Sequence, residues 1–141
     1  MRIAINNGPN LNLLGKREPE IYGAESFDLH LKLIREKFPQ TKIHYFQSNV
    51  EGEIINELQR VGFEAEGIIF NPGGYTHTSV AIGDTVAAIT SPVIEVHISN
   101  VFSREPFRHH SFVSPHALAV ITGMGLLGYD LAVQYLLESQ G

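Results

Sequence analysis

Several polar side chains stand where an acid–base reaction could use them. Glu95 and His97 lie two apart in the β-branched run Val93–Ile98, and on a strand that spacing puts both on one face. A carboxylate beside an imidazole orients the ring and favours the imidazolium, a usable general acid; the same spacing also describes a satisfied buried ion pair. Asn71, Pro72, Gly73 and Gly74 lead a strand into a helical stretch. A helix N-terminus there would offer backbone N–H groups to an anion or a hydroxyl, while Pro and Gly dictate a turn in either case. His77, near that helix start, reads equally as a cap, a core residue or a ligand contact. Arg17 and Tyr22 share the long segment after the first apolar run. A tyrosine with its ordinary pKa of about 10 needs a depression worth about 4 kcal/mol to act as a phenolate base at neutral pH. A guanidinium in a water-poor pocket supplies much of that. By pattern alone the two also read as a solvated arginine and a half-buried tyrosine on a surface loop.

Other chemistries fail on spacing. There is no cysteine, no HExxH and no carboxylate cluster, and the adjacent His109 and His110 point apart in extended chain, so no metal is expected. No GxxxxGK[ST] loop or GxSxG elbow occurs, and Asn6 and Asn7 stand where a receiver-type phosphoacceptor would need acids. Acid–base chemistry on a small, polar, anionic molecule is what remains.

These residues need elements to carry them. Arg2–Asn6, Lys42–Phe46, Gly67–Phe70, Val93–Ile98 and Leu118–Ile121 read as strands. Between them Ser26 caps a helix whose Phe27, Leu31, Ile34 and Phe38 line one face before Pro39. Glu51–Val61 repeats the pattern, with Gly62 where a C-cap glycine belongs, and Thr78–Thr90 and Gly125–Glu138 are the remaining helices. The alternation predicts an α/β fold, a flavodoxin-like three-layer sandwich on a five-stranded parallel sheet of order 2-1-3-4-5, with residues 1–141 as one domain. Ligands of such sheets bind beyond the carboxyl ends of the strands, at the switch point. Asn10, Arg17 and Tyr22 after strand one, Asn71 and His77 after strand three, and Glu95, His97, Ser99, Arg104 and Arg108 at or after strand four therefore converge on one crevice.

The chain has 141 residues, 43% of them hydrophobic, and a formal net charge of -5. That balance argues against general binding to nucleic acid or anionic membranes. The N-terminus lacks the apolar length of a signal peptide, and glycines 123, 125 and 128 interrupt the longest apolar stretch, so a soluble cytoplasmic protein without membrane association is expected. The connection Asn7–Glu25 is long enough to be functional. Residues 109–129 contain no Asp, Glu, Lys or Arg, which favours burial between subunits of an oligomer.

The segments GPNLNLLGKREPEIYG (Gly8–Gly23), FQSNVEGEIINEL (Phe46–Leu58), NPGGYTHTSVAIGD (Asn71–Asp84), EVHISNVFSREPFRHHS (Glu95–Ser111) and GMGLLGYDLA (Gly123–Ala132) resemble the type II 3-dehydroquinate dehydratases, in order and over essentially the whole chain. The resemblance implies a flavodoxin-like homododecamer, a tetramer of trimers, that removes water from 3-dehydroquinate to give 3-dehydroshikimate in the shikimate pathway of aromatic amino acid biosynthesis, or in quinate breakdown, without metal or cofactor. Residue by residue, it implies Tyr22 as the proton-abstracting base and Arg17 as its partner. His97 would be the general acid, supported by Glu95, and Asn10 would help stabilise the enolate. Asn71, His77, Ile98, Ser99 and Arg108 would bind substrate, and Asp84 would reach a neighbouring subunit's site. Val50, Gly74 and Gly83 depart from the family pattern, and Gly83 weakens its helix by about 1 kcal/mol relative to alanine. Two rivals stand beside this reading: a non-catalytic flavodoxin-like binding or scaffold homologue, whose site should be eroded, and an acid–base enzyme for another cyclic polyol acid.

Overall fold

The β-branched runs assemble into an all-parallel sheet of β1 (Arg2–Asn7), β2 (Lys42–Gln47), β3 (Gly67–Asn71), β4 (Val93–His97) and β5 (Ala119–Thr122), in the order β2-β1-β3-β4-β5. A computed structural model describes residues 1–16, 18–22 and 25–140, with the side chains of Pro19 and Tyr22 outside the description. The helices are a single-turn α1 (Pro19–Tyr22), α2 (Phe27–Lys37), α3 (Glu51–Val61), α4 (Val80–Ala88) and α5 (Leu127–Gln140). Among the described residues, no helix is long and apolar enough to cross a membrane.

The two-residue period of the strands sorts the core onto two faces. Ile3, Ile5, Ile69, Ile94 and Val96 pack with Phe27, Leu31 and Ile34 of α2 and Tyr129, Val133 and Leu136 of α5. Ala4, Ile68, Phe70 and Val93 pack with Ile54 and Leu58 of α3 and Ile82 and Val86 of α4. Removing each of the large branched side chains from water favours the fold by about 1.5–3 kcal/mol. Two faces covered by helices complete the three layers expected from the alternation.

The helix ends show where local rules gave way to packing. Ser26 caps α2 as expected, its Oγ accepting from the Leu29 N–H at 3.3 Å. Gly62 is not a left-handed cap: its φ is -69°. It is glycine because a Cβ there would sit 2.5 Å from both Ile89 Cγ2 and the Leu58 carbonyl. The helix expected at Thr78–Thr90 is shorter, because Ser79 Oγ caps the Ile82 N–H and Ile89 turns extended. The last helix begins at Leu127 rather than Gly125, whose φ of 62° lies outside helical space.

Candidate active site

The carboxyl ends of β1, β3 and β4 open into a cleft of ≈ 160 Å³. Its lining includes Asn10, Asn71, His77, His97, Ile98, Ser99 and Arg108, seven of the eleven residues singled out from the sequence. Glu95 lies behind His97, fully buried. Asp84 is exposed on α4 and does not line the cleft. Arg17 and the Tyr22 side chain lie outside the described residues.

Glu95 and His97 project from the same face of β4, as their spacing predicts, and His97 Nε2 meets Glu95 Oε2 at 2.5 Å. The carboxylate is also held by the Thr76 hydroxyl at 2.6 Å, the Ser111 hydroxyl at 3.1 Å and the Ser114 hydroxyl at 2.5 Å. Burial pushes the Glu95 carboxyl up, but the bond and charge of His97 and the Ser114 and Thr76 hydroxyls outweigh it, and it titrates below the usual glutamate range. Glu95 is thus an ionised, fully satisfied anchor that fixes the tautomer and orientation of the His97 ring. Thr76, Ser111 and Ser114 carry no motif of their own. The only trace they leave in the sequence is the charge-poor run after His109, which also supplies two of the three hydroxyls.

His77 ends a 3-10 turn, Gly73–His77, instead of beginning a helix. The first N–H of that turn, from Gly73, is taken by Asn71 Oδ1 at 3.0 Å, and α4 starts separately behind its own Ser79 cap. The expected helix N-terminus for an anion is therefore absent at Asn71–Gly74, because the chain tightens into a 3-10 turn there. His77 Nδ1 donates to the His110 carbonyl at 2.8 Å, which leaves Nε2 to accept. Burial pushes the His77 imidazole pKa down; the His110 carbonyl and the Glu95 charge oppose this, and repulsion from His97 and Arg108 adds to it. A neutral ring with an outward acceptor suits a ligand hydroxyl. Its plane lies near that of His97, with centroids 6.2 Å apart.

The loop after β4 supplies cationic side chains. Arg108 Nε donates to Glu105 at 3.1 Å, and its guanidinium lies 5.0 Å from the centroid of the Phe107 ring. Arg104, placed in this loop by the sequence but given no role there, lines the cleft and donates to Ser99 Oγ at 3.1 Å. Asn10 adopts a left-handed φ of 70°, and its backbone N–H donates to Asn49 Oδ1 at 3.0 Å. Gly83, one of the departures noted above, owes its identity to space: a Cβ would sit 2.4 Å from the Phe112 carbonyl.

One support of the cleft has no counterpart in the sequence reading. The Tyr129 hydroxyl, at the start of α5, donates to Asn7 Oδ1 at 2.7 Å and accepts from Asn71 Nδ2 at 3.0 Å. Burial pushes its pKa far up, so it remains a phenol and is no base. It ties together the last residues of β1 and β3, which are register partners.

The family model described as Dehydroquinase class II matches residues 1–137. A 3-dehydroquinate dehydratase of Fusobacterium nucleatum is 51% identical over 144 residues, covering 98% of this chain and 97% of its own. The crystal structure of a type II dehydroquinase from Butyrivibrio crossotus superposes with a TM-score of 0.93 at 45% identity, covering 97% of each chain. That of a type II dehydroquinase from Propionibacterium acnes does so with a TM-score of 0.91 at 37% identity, covering 96% of this chain and 94% of its own.

Proposed function

The chain belongs to the class II dehydroquinase family, and from that premise we propose that its cleft eliminates water from 3-dehydroquinate through an enolate, without a metal ion. The enzyme is a hydro-lyase of the 3-dehydroquinate dehydratase type, and its substrate is a small molecule, 3-dehydroquinate. The observation that carries the finer mechanism is the Glu95–His97 pair at 2.5 Å on the wall of a polar cleft.

The reaction has two bond-breaking events. A base removes a proton from the carbon next to the ketone, and the electron pair passes into an enolate. The enolate then expels the β-hydroxyl, which leaves as water once it has accepted a proton. Tyr22, held as a phenolate by Arg17, is the base in this reading. Asn10 lies on the lining and supports the oxyanion. His97 supplies the proton to the leaving hydroxyl: Glu95 occupies Nε2, so the other ring nitrogen carries the transferred proton. Asn71, the neutral His77 and Arg108 pair with ring hydroxyls, while Ser99 and the Ile98–Ser99 backbone receive the substrate carboxylate. A site built for hydroxyls discriminates against analogues lacking them, because its buried polar groups would be left unpaired.

The intact set of polar residues favours this reading over a non-catalytic scaffold. We further propose that residues 1–141 act as one catalytic domain in the cytoplasm, within the shikimate pathway. The proposed assembly is a dodecamer in which Asp84, exposed on α4, completes a neighbouring subunit's site. Purified protein mixed with 3-dehydroquinate and a chelator should give a rise in the ultraviolet absorbance of a conjugated enone, proportional to enzyme. A flat trace that recovers on adding divalent metal would overturn the metal-free mechanism. A monomeric mass by light scattering would overturn the assembly.

A further inference from the structure

A second histidine–carboxylate cluster lies outside the cleft. His30, in the first turn of α2, is buried, and its Nε2 meets Asp130 Oδ1 of α5 at 2.6 Å. Lys37 Nζ lies 3.4 Å from the other Asp130 oxygen. On the far side of the ring, His30 Nδ1 faces Glu25 Oε1 at 3.5 Å. Both of those atoms are buried, and neither has a hydrogen-bond partner, so each has only the other to satisfy it.

We propose that His30 is a positioning residue for the reaction: clamped between Glu25 and Asp130, it holds the exit of the segment carrying Tyr22 against the first turn of α5. Glu25 follows Tyr22 by three positions in the chain, and Asp130 follows Tyr129 by one. Tyr129 in turn holds Asn71, which lines the cleft. The Phe27 ring stacks on Tyr45 at 5.0 Å and meets Tyr129 edge-on at 4.8 Å, so the two first turns share one aromatic contact as well. Floor and loop exit are thereby referred to the same point.

Stability alone does not explain the cluster. The seam between α2 and α5 is otherwise apolar, with Phe27, Leu31, Ile34, Val133 and Leu136 all buried. Replacing a buried ionic pair by apolar residues of similar volume is often neutral or stabilising. An imidazole and a carboxylate in this seam therefore give up stability, and what they secure is the position of Glu25 at its edge.

This rests on the reading of Tyr22 as the base, and the test separates the two. Glu25→Gln leaves the packed seam untouched, since the Glu25 side chain is 39% exposed. The paired replacement His30→Leu with Asp130→Leu keeps the seam filled. In each variant kcat for 3-dehydroquinate should fall about tenfold, well short of the ~100-fold that a 1 Å misplacement can cost. KM should stay within about twofold, the pattern of an interaction felt at the transition state rather than in binding. All three substitutions together should lose no more than either variant, because they break one clamp. Normal kcat in Glu25→Gln and in the leucine pair overturns the positioning role, as does a fall in kcat that only follows a fall in Tm. With Tyr22→Phe assayed in parallel, retained turnover in that variant overturns the base reading and the positioning role together. Turnover lost in Tyr22→Phe but intact in Glu25→Gln overturns the positioning role alone.

Discussion

The described residues hold two buried imidazole–carboxylate pairs of nearly equal length, Glu95–His97 at 2.5 Å and His30–Asp130 at 2.6 Å. Their chemistry is the same and their surroundings are not. Glu95 fills its remaining acceptor sites with three hydroxyls, and its histidine lines an open cleft. Asp130 faces a lysine, and its histidine points its second nitrogen at another, partly exposed carboxylate. The first arrangement leaves a ring nitrogen for a ligand, and the second uses both nitrogens to join segments of chain. Proximity of His to Asp or Glu therefore says little about function until the second nitrogen is followed.

Substitutions can break this contrast, beginning with the largest effect. Replacing His97 by Ala should lower kcat by about 10³-fold, the range of a general acid, with a smaller change in KM. His30→Gln should cost far less in the same assay, and equal losses would erase the distinction between the pairs. Next comes stability under chemical denaturation. Glu95→Ala strands His97 and three hydroxyls and should cost about 3–5 kcal/mol, whereas the leucine pair at His30 and Asp130 should lie within about 1 kcal/mol of wild type or above it.

A subtler effect is the response to acid. The Glu95 carboxyl is held below its ordinary value, so its contribution to stability is complete above the unfolded value of about 4.3 and is lost as pH falls through the lowered folded value. Tm should therefore fall less steeply with acid in Glu95→Gln than in wild type; an identical slope would show that the carboxylate is not so held. The smallest loss at the Glu95 site is Ser114→Ala, which removes one hydroxyl from Glu95 and should cost about 1.5 kcal/mol, the lower end for a bond to a charged group.

What the sequence revealed and what it hid follow one physical divide. The alternation of strands and helices, the bounds of α3 and the shared face of Glu95 and His97 come from periods of two and of 3.6 residues, which act over a few positions and leave a local record. His30 and Asp130 are 100 positions apart, and Tyr129 reaches Asn7 across 122, so no periodicity announces either contact. Gly62 misled for a related reason. A glycine after a helix suggests a left-handed cap, yet the constraint comes from the Leu58 carbonyl and from Ile89, on the far side of β3 in sequence. At Asn71–Gly74 the turn chemistry was legible, but whether it opened an α-helix or a 3-10 turn was not.

The bridge from Tyr129 to Asn7 and Asn71 has a consequence for the cost of binding. Where a parallel sheet reverses its winding, the chain leaves adjacent strands toward opposite faces, and the crevice between them is a natural line of separation. A phenol in the core spans that line and holds both strand ends at fixed spacing. The entropy of ordering this floor is spent when the chain folds, and a ligand arriving there need not supply it again. In this fold a tyrosine with no part in proton transfer lets the crevice stay open without becoming soft.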